Sequence, residues 1–255
     1  MRMTPLPLRF VAFAATLCSA GPAMADPAAA PPAVTAHRVD APPTLDDPVW
    51  DRLPRHALGL DAGAAAAGRS LLEPGCFQLA FDDEAIYLRT DFTDRDPFTL
   101  ATADGQRLYT AGDLAEWFIG PPPDPQGRMT PYLELHAAPN GVRSAYLLRR
   151  PGLPEPLSPA PFEAEVSVDP PGTPGRGWRV LFSLPRAELF ERIPGLDAAG
   201  EPALSLLVAR YDYSAGAPYA ADGGAGPELS CWPVQPRTAF HLRPFHAPVR
   251  FGGAD

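Results

Sequence analysis

The chain is dominated by short runs in which apolar and polar residues alternate, the period of a strand with one buried face. Phe77-Gln78-Leu79-Ala80-Phe81 and Ile86-Tyr87-Leu88-Arg89 flank the acidic turn Asp82-Asp83-Glu84 and predict a hairpin whose second strand runs to about residue 93. Leu114 to Ile119 predicts a strand closed by Gly120-Pro121-Pro122-Pro123. Tyr132 to Ala137 and Val142 to Leu148 predict a hairpin around Asn140-Gly141, since Asn-Gly favours the positive φ angles of tight turns. Phe162, Ala164, Val166 and Val168 alternate with Glu163, Glu165, Ser167 and Asp169. Trp178, Val180, Phe182 and Leu184 repeat that pattern. Leu204 to Tyr213 is apolar enough for a sheet centre, and Glu228 to Pro233 reads as a further strand.

Helical signal is sparse. Pro185 to Arg192 predicts one short helix with Pro185 in its first turn. Gly59 to Gly68, despite four consecutive Ala, is read as a loop. Successive strands without long intervening helices imply an all-β fold, an antiparallel β-sandwich forming a single domain over residues 37–255. Asp26 to Ala36 is Pro/Ala-rich and reads as a flexible leader.

The first 25 residues change the picture of where the protein works. Arg2 and Arg9 precede the apolar run Phe10 to Ala20, and Ala23-Met24-Ala25 places small residues at both cleavage-recognition positions. This pattern predicts a signal peptide cut after Ala25 and a periplasmic or secreted mature protein. The run is too short for a span of roughly twenty residues, so no membrane association is expected after cleavage.

Charge then narrows the partners. All 21 basic residues are Arg, and loss of Arg2 and Arg9 leaves 19 against 30 Asp plus Glu, a mature net charge of -11. Nucleic acid and anionic lipid would be repelled, whereas cations and neutral sugars would not. Cys76 and Cys231 survive signal removal. In an oxidising compartment they form either a disulfide or two separate buried thiols. Neither has a second Cys or a His at zinc-ligand spacing.

Several fragments occur in an order that resembles the family 9 carbohydrate-binding modules, a β-sandwich group close to DOMON-type domains. They are Leu45-Asp46-Asp47-Pro48-Val49-Trp50, Phe81 to Leu88, Gly112 to Ile119, and Tyr132 to His136 with Asn140-Gly141. Trp178 to Pro185, Cys231-Trp232-Pro233 and Pro248-Val249-Arg250-Phe251-Gly252 complete the set. The resemblance implies a non-catalytic carbohydrate-binding protein associated with carbohydrate catabolism, in which two aromatic rings clamp a sugar and polar side chains bind its hydroxyls. Carried onto this chain, the clamp positions are Tyr109 and Phe245, neither of them Trp. The polar positions are Glu116, Glu134 and His136.

Each of these has a plainer alternative. Glu116 lies on one strand face with Leu114 and Phe118, where a carboxylate needs either a groove or a structural ion pair. Glu134 and His136 share a face by period-2 alternation, which could equally be a solvated outer face. Trp50, Trp117 and Trp178 are expected in the core; Trp232 suits either core or groove.

Asp82, Asp83, Asp94 and Asp96 gather oxygen donors around one hairpin, a composition compatible with calcium, and the family resemblance implies structural calcium as well. Haem is an alternative through the DOMON relationship, with Met129 and a His as the available ligands. A hydrolase would need two carboxylates at a fixed separation. No motif nominates such a pair, and elbow, metalloprotease and phosphate-loop signatures are absent.

Overall fold

The computed structural model describes residues 30–252, except 127, 151, 195, 197–202 and 214–225; the expected signal peptide lies outside them. Thirteen strands and two short helices are present among the described residues. The first half contains β1 (Val34–Arg38), β2 (His56–Ala57), α1 (Ala62–Ala66), β3 (Gly75–Phe81), β4 (Ala85–Thr93), β5 (Leu114–Gly120) and β6 (Tyr132–Ala137). The second contains β7 (Arg143–Arg150), β8 (Leu153–Leu157), β9 (Glu163–Val168), β10 (Gly177–Pro185), α2 (Arg186–Arg192), β11 (Leu204–Asp212), β12 (Glu228–Trp232) and β13 (Ala247–Gly252).

Hydrogen bonding joins the strands in the order β8-β7-β6-β5-β11-β13-β1-β3-β4-β10-β9, with β12 on β11 and β2 on β3. The sheet curls until its two halves meet face to face. Trp117 of β5 and Phe182 of β10 have five strands between them in that order, yet their rings lie 6.1 Å from centroid to centroid. Both belong to one buried cluster with Leu79, Leu88, Phe92, Leu133, Leu135, Leu147, Trp178, Val180 and Val208. Burying each such side chain contributes about 1.5–3 kcal/mol, which is why the apolar parity of every strand points to this one interior. The result is the expected β-sandwich, closed along one side.

That closure departs from a purely antiparallel pattern. β1 pairs parallel with both β13 and β3, so segments from the two ends of the domain stitch the halves together. Val34 and Ala36 are buried in the central core. Within the segment expected to be a flexible leader, residues from Val34 onward therefore form a strand, because two apolar side chains at strand period have a core to enter.

Other differences have local causes. Ala62–Ala66 is helical rather than loop: the Ala run has high helix propensity, and Asp61 caps it by accepting from the Ala64 amide at 2.8 Å. β8 was not expected, since Pro154 and Pro156 interrupt it. It occupies the end of the strand order, where missing amide donors cost no ladder bonds. The Asn140-Gly141 turn forms as expected, with Gly141 at φ 83° and the Asn140 side chain donating to the Ala101 carbonyl at 2.8 Å.

Cys76 and Cys231 are buried thiols not joined to each other, which is the second of the two alternatives. The segment between β2 and α1 runs between their strands, with Ala57 opposite Cys76 and Gly59 opposite Cys231. Two strand spacings are about 10 Å, beyond the roughly 7 Å Cα separation a disulfide spans.

Candidate functional site

The outer face of the β8-β7-β6-β5-β11-β12 half carries a cleft of about 940 Å³. Its floor follows from strand parity. Ala115, Trp117 and Ile119 of β5 point into the core, which turns Glu116 and Phe118 outward. Register then aligns side chains across strands: Glu116 faces His136 and Phe118 faces Glu134 on β6, while His136 faces Ser144 and Glu134 faces Tyr146 on β7. Direct cross-strand neighbours have Cβ atoms about 5 Å apart, so four polar groups are forced into one patch.

Within that patch, His136 Nε2 lies 2.7 Å from Glu134 Oε1 and 3.1 Å from Glu116 Oε1. Its Nδ1 lies 3.2 Å from Ser144 Oγ. His136 is fully buried and Glu116 is 2% exposed. Burial alone would pull the imidazole pKa down, but Glu116 and Glu134 outweigh it and hold it up at about 10. Burial pushes the Glu116 carboxyl up against the pull of His136. Burial works against Glu134 too, yet the hydrogen bond from His136 keeps that carboxyl below the usual range. One imidazolium thus serves two carboxylates, and Glu116 Oε2 has no hydrogen-bond partner. A buried acceptor left unmade costs about 1–3 kcal/mol, so this oxygen is available to a donor arriving through the cleft.

Aromatic side chains form the walls. Phe118, Tyr132, Tyr146 and Tyr211 come from the strands, and Tyr109, Phe240 and His241 from segments outside them. The Tyr109 ring is perpendicular to that of His136, 6.4 Å away. The loop bearing Tyr109 is anchored where Gly112 adopts φ 141° against Phe98; a Cβ there would stand 2.4 Å from the Phe98 carbonyl oxygen. The Tyr132 hydroxyl meets His241 Nδ1 at 2.7 Å.

Of the five ligand positions implied by the family resemblance, Tyr109, Glu116 and Glu134 line the cleft and His136 lies beneath its floor. Phe245 does not line it. Buried Arg243 donates to the Pro121 carbonyl at 2.5 Å and to Ser205 Oγ at 3.1 Å, and His246 Nε2 donates to the Phe240 carbonyl at 2.7 Å. These bonds curl residues 240–246 so that Phe240 and His241 approach the cleft instead. Tyr132 and Tyr146 were legible as residues of the same parity as Glu134 and His136; Phe240 and His241, outside any strand, carried no such signal. Trp50, Trp117 and Trp178 are all core. Trp232 is only partly buried, packed against the central cluster beside His56 and Phe77.

The four aspartates expected around one cation are divided. Asp82 caps its hairpin, with Oδ1 accepting from the Glu84 and Ala85 amides and Oδ2 from the Tyr87 hydroxyl, each at 2.8 Å. Asp83 pairs with Arg38. Asp94 and Asp96 lie beyond the far end of nine-residue β4, about 30 Å away at strand rise. There Asp94 accepts from Trp178 Nε1 at 3.1 Å and from Arg210 at 3.0 Å. The same guanidinium nitrogen is 3.3 Å from Asp212 and 3.8 Å from Glu73, so a protein cation holds the centre of this acidic group.

No protein-family model matches the sequence, and no relative is found among curated proteins. Solved structures do match. A proposed carbohydrate-binding protein from Bacteroides uniformis aligns over 87% of this chain and 99% of its own, with TM-score 0.64 at 13% identity. A family 9 carbohydrate-binding module from Caldicellulosiruptor kristjanssonii, solved with cellotriose, aligns over 87% of this chain and 95% of its own with TM-score 0.52 at 13% identity. Its glucose complex gives 0.53 at 12% identity, covering 87% and 97%. The fold is that of the family 9 carbohydrate-binding modules. At such identity the likeness concerns the fold alone.

Proposed function

We propose that this chain is an exported, non-catalytic carbohydrate-binding protein whose ligand site is the cleft over β5, β6 and β7, acting in carbohydrate catabolism. The observation carrying the reading is an aromatic-walled cleft with the unpartnered Glu116 Oε2 at its floor. Sugar C–H faces pack on aromatic rings, and in-plane hydroxyls donate to carboxylates; Tyr109, Tyr146 and Phe240 supply the first and Glu116 with Glu134 the second. The two solved complexes of the shared fold hold cellotriose and glucose, which makes glucose-based oligosaccharides the first ligands to try. Glu116 and Glu134 present ligand atoms within 4.8 Å of each other and of His136. A hydrolytic pair stands on either side of the scissile bond, whereas these two carboxylates close on one nitrogen, His136 Nε2, at 3.1 and 2.7 Å, an arrangement that favours binding over bond cleavage.

Calorimetric titration of the mature protein with glucose, cellotriose and a wider glycan panel tests this. Saturable binding that weakens in Tyr109→Ala supports it, and silence across the panel overturns it. Recovery of a periplasmic or medium protein beginning at Asp26 tests the export reading. A second ligand class has one observation in its favour: Met129 and His241 both line the cleft, and a Soret band in the purified protein would turn the reading to haem.

A further inference from the structure

We infer that Glu116, Glu134 and His136 form a binding site for one divalent transition-metal ion of the zinc class, open to the cleft on its remaining side. The three residues each offer one ligand atom, all within 4.8 Å of one another. His136 Nε2 faces both carboxylates, at 2.7 and 3.1 Å. Zinc bonds of about 2.0–2.2 Å in tetrahedral geometry separate ligand atoms by roughly 3.3 Å, so the Glu134 oxygen needs to retreat by about 0.6 Å and the Glu116 oxygen by about 0.2 Å from the imidazole nitrogen.

Charge and donor type point the same way. With a neutral imidazole the three groups carry two negative charges, which a dication neutralises, whereas a single shared proton leaves Glu116 Oε2 unpartnered in a residue 98% buried. An imidazole nitrogen among the ligands favours zinc-class ions over calcium, which prefers six to eight oxygens. His136 Nδ1 already rests on Ser144 Oγ at 3.2 Å, the outer hydrogen bond that orients ligating histidines toward a metal. Glu116 and Glu134 line the cleft, leaving water or a ligand hydroxyl the fourth position. The Asp94 group differs because Arg210 stands within it. The inference does not depend on what else the cleft binds.

The mature protein, stripped with EDTA, is titrated with ZnCl2 and CoCl2, with CaCl2 as control. One equivalent of Zn²⁺ is expected, Co²⁺ giving the intense visible absorption of a four-coordinate site and excess Ca²⁺ failing to displace it. Glu116→Gln and His136→Gln should each weaken Zn²⁺ binding at least 100-fold, and Ser144→Ala about 10-fold. His37→Gln, on β1 and outside the cleft lining, should leave it within a factor of two. Should His136→Gln fail to fold, Glu116→Gln, which keeps the side-chain shape, decides. No uptake by the stripped protein, or equal affinity in Glu116→Gln, overturns the site and assigns any bound zinc to other histidines. Sugar titrations with and without Zn²⁺ separate the two readings, since either can fail while the other stands.

Discussion

Glu116 and His136 stand directly opposite each other on β5 and β6, with Nε2 3.1 Å from Oε1 and neither side chain more than 2% exposed. Glu134 closes on the same nitrogen from two residues along β6. Removing the imidazole leaves two carboxylates without their shared cation. His136→Ala, measured by urea unfolding in EDTA, is therefore expected to cost about 3–5 kcal/mol. A loss below about 1 kcal/mol would mean that the pair is not ionised as described.

The aromatic walls divide the two residues first placed at the sugar clamp. Tyr109 lines the cleft and Phe245 does not. Tyr109→Ala should weaken sugar binding about tenfold, as for loss of one ring contact, with little change in Tm because the residue is only partly buried. Phe245→Ala should leave titration curves unchanged. The opposite ranking would move the site toward the C-terminal segment.

His246 supplies the pH dependence. Burial, then the Arg243 guanidinium, depress its pKa well below the usual value. Arg243 donates to its Nδ1 and Nε2 donates to the Phe240 carbonyl, an arrangement only the neutral ring can make. Below about pH 6.5 the unfolded chain takes up a proton that the folded chain refuses, so stability falls with acidification by up to about 1.4 kcal/mol per pH unit. His136, with its folded pKa raised to about 10, is protonated in both states there and adds no slope; its contribution fades only as pH rises from about 6.5 through 10. His56, depressed mainly by burial, adds to the acid slope. Comparing urea midpoints of wild type and His246→Gln between pH 7 and pH 5 isolates the His246 share, which should vanish in the variant.

Cys76 and Cys231 should both react with a thiol reagent after unfolding without reductant. In the native protein Cys231 should resist, since burial pushes its thiol up to about 12 and its Sγ is spent on the Pro233 carbonyl. Intact mass lower by two hydrogens, with no labelling on unfolding, would restore the disulfide.

What the sequence by itself determined was local. Alternation at period 2 marked β3, β4, β5, β6, β7, β9 and β10, a continuous apolar run marked β11, and parity sorted Trp117 inward from Glu116 outward, because side-chain direction in a strand depends only on residue parity. Asn140-Gly141 likewise set the β6–β7 register, and with it the meeting of His136 and Ser144. Tertiary structure decided everything that needed a distant partner. The Ala57–Gly59 segment entering between the cysteine strands kept two thiols apart, and the core space beside β13 and β3 turned Val34 and Ala36 into a strand. Arg243, reaching Pro121 and Ser205, chose Phe240 and His241 over Phe245 for the cleft. These outcomes depend on hydrogen bonds and burial between residues far apart in the chain, and no local pattern encodes them.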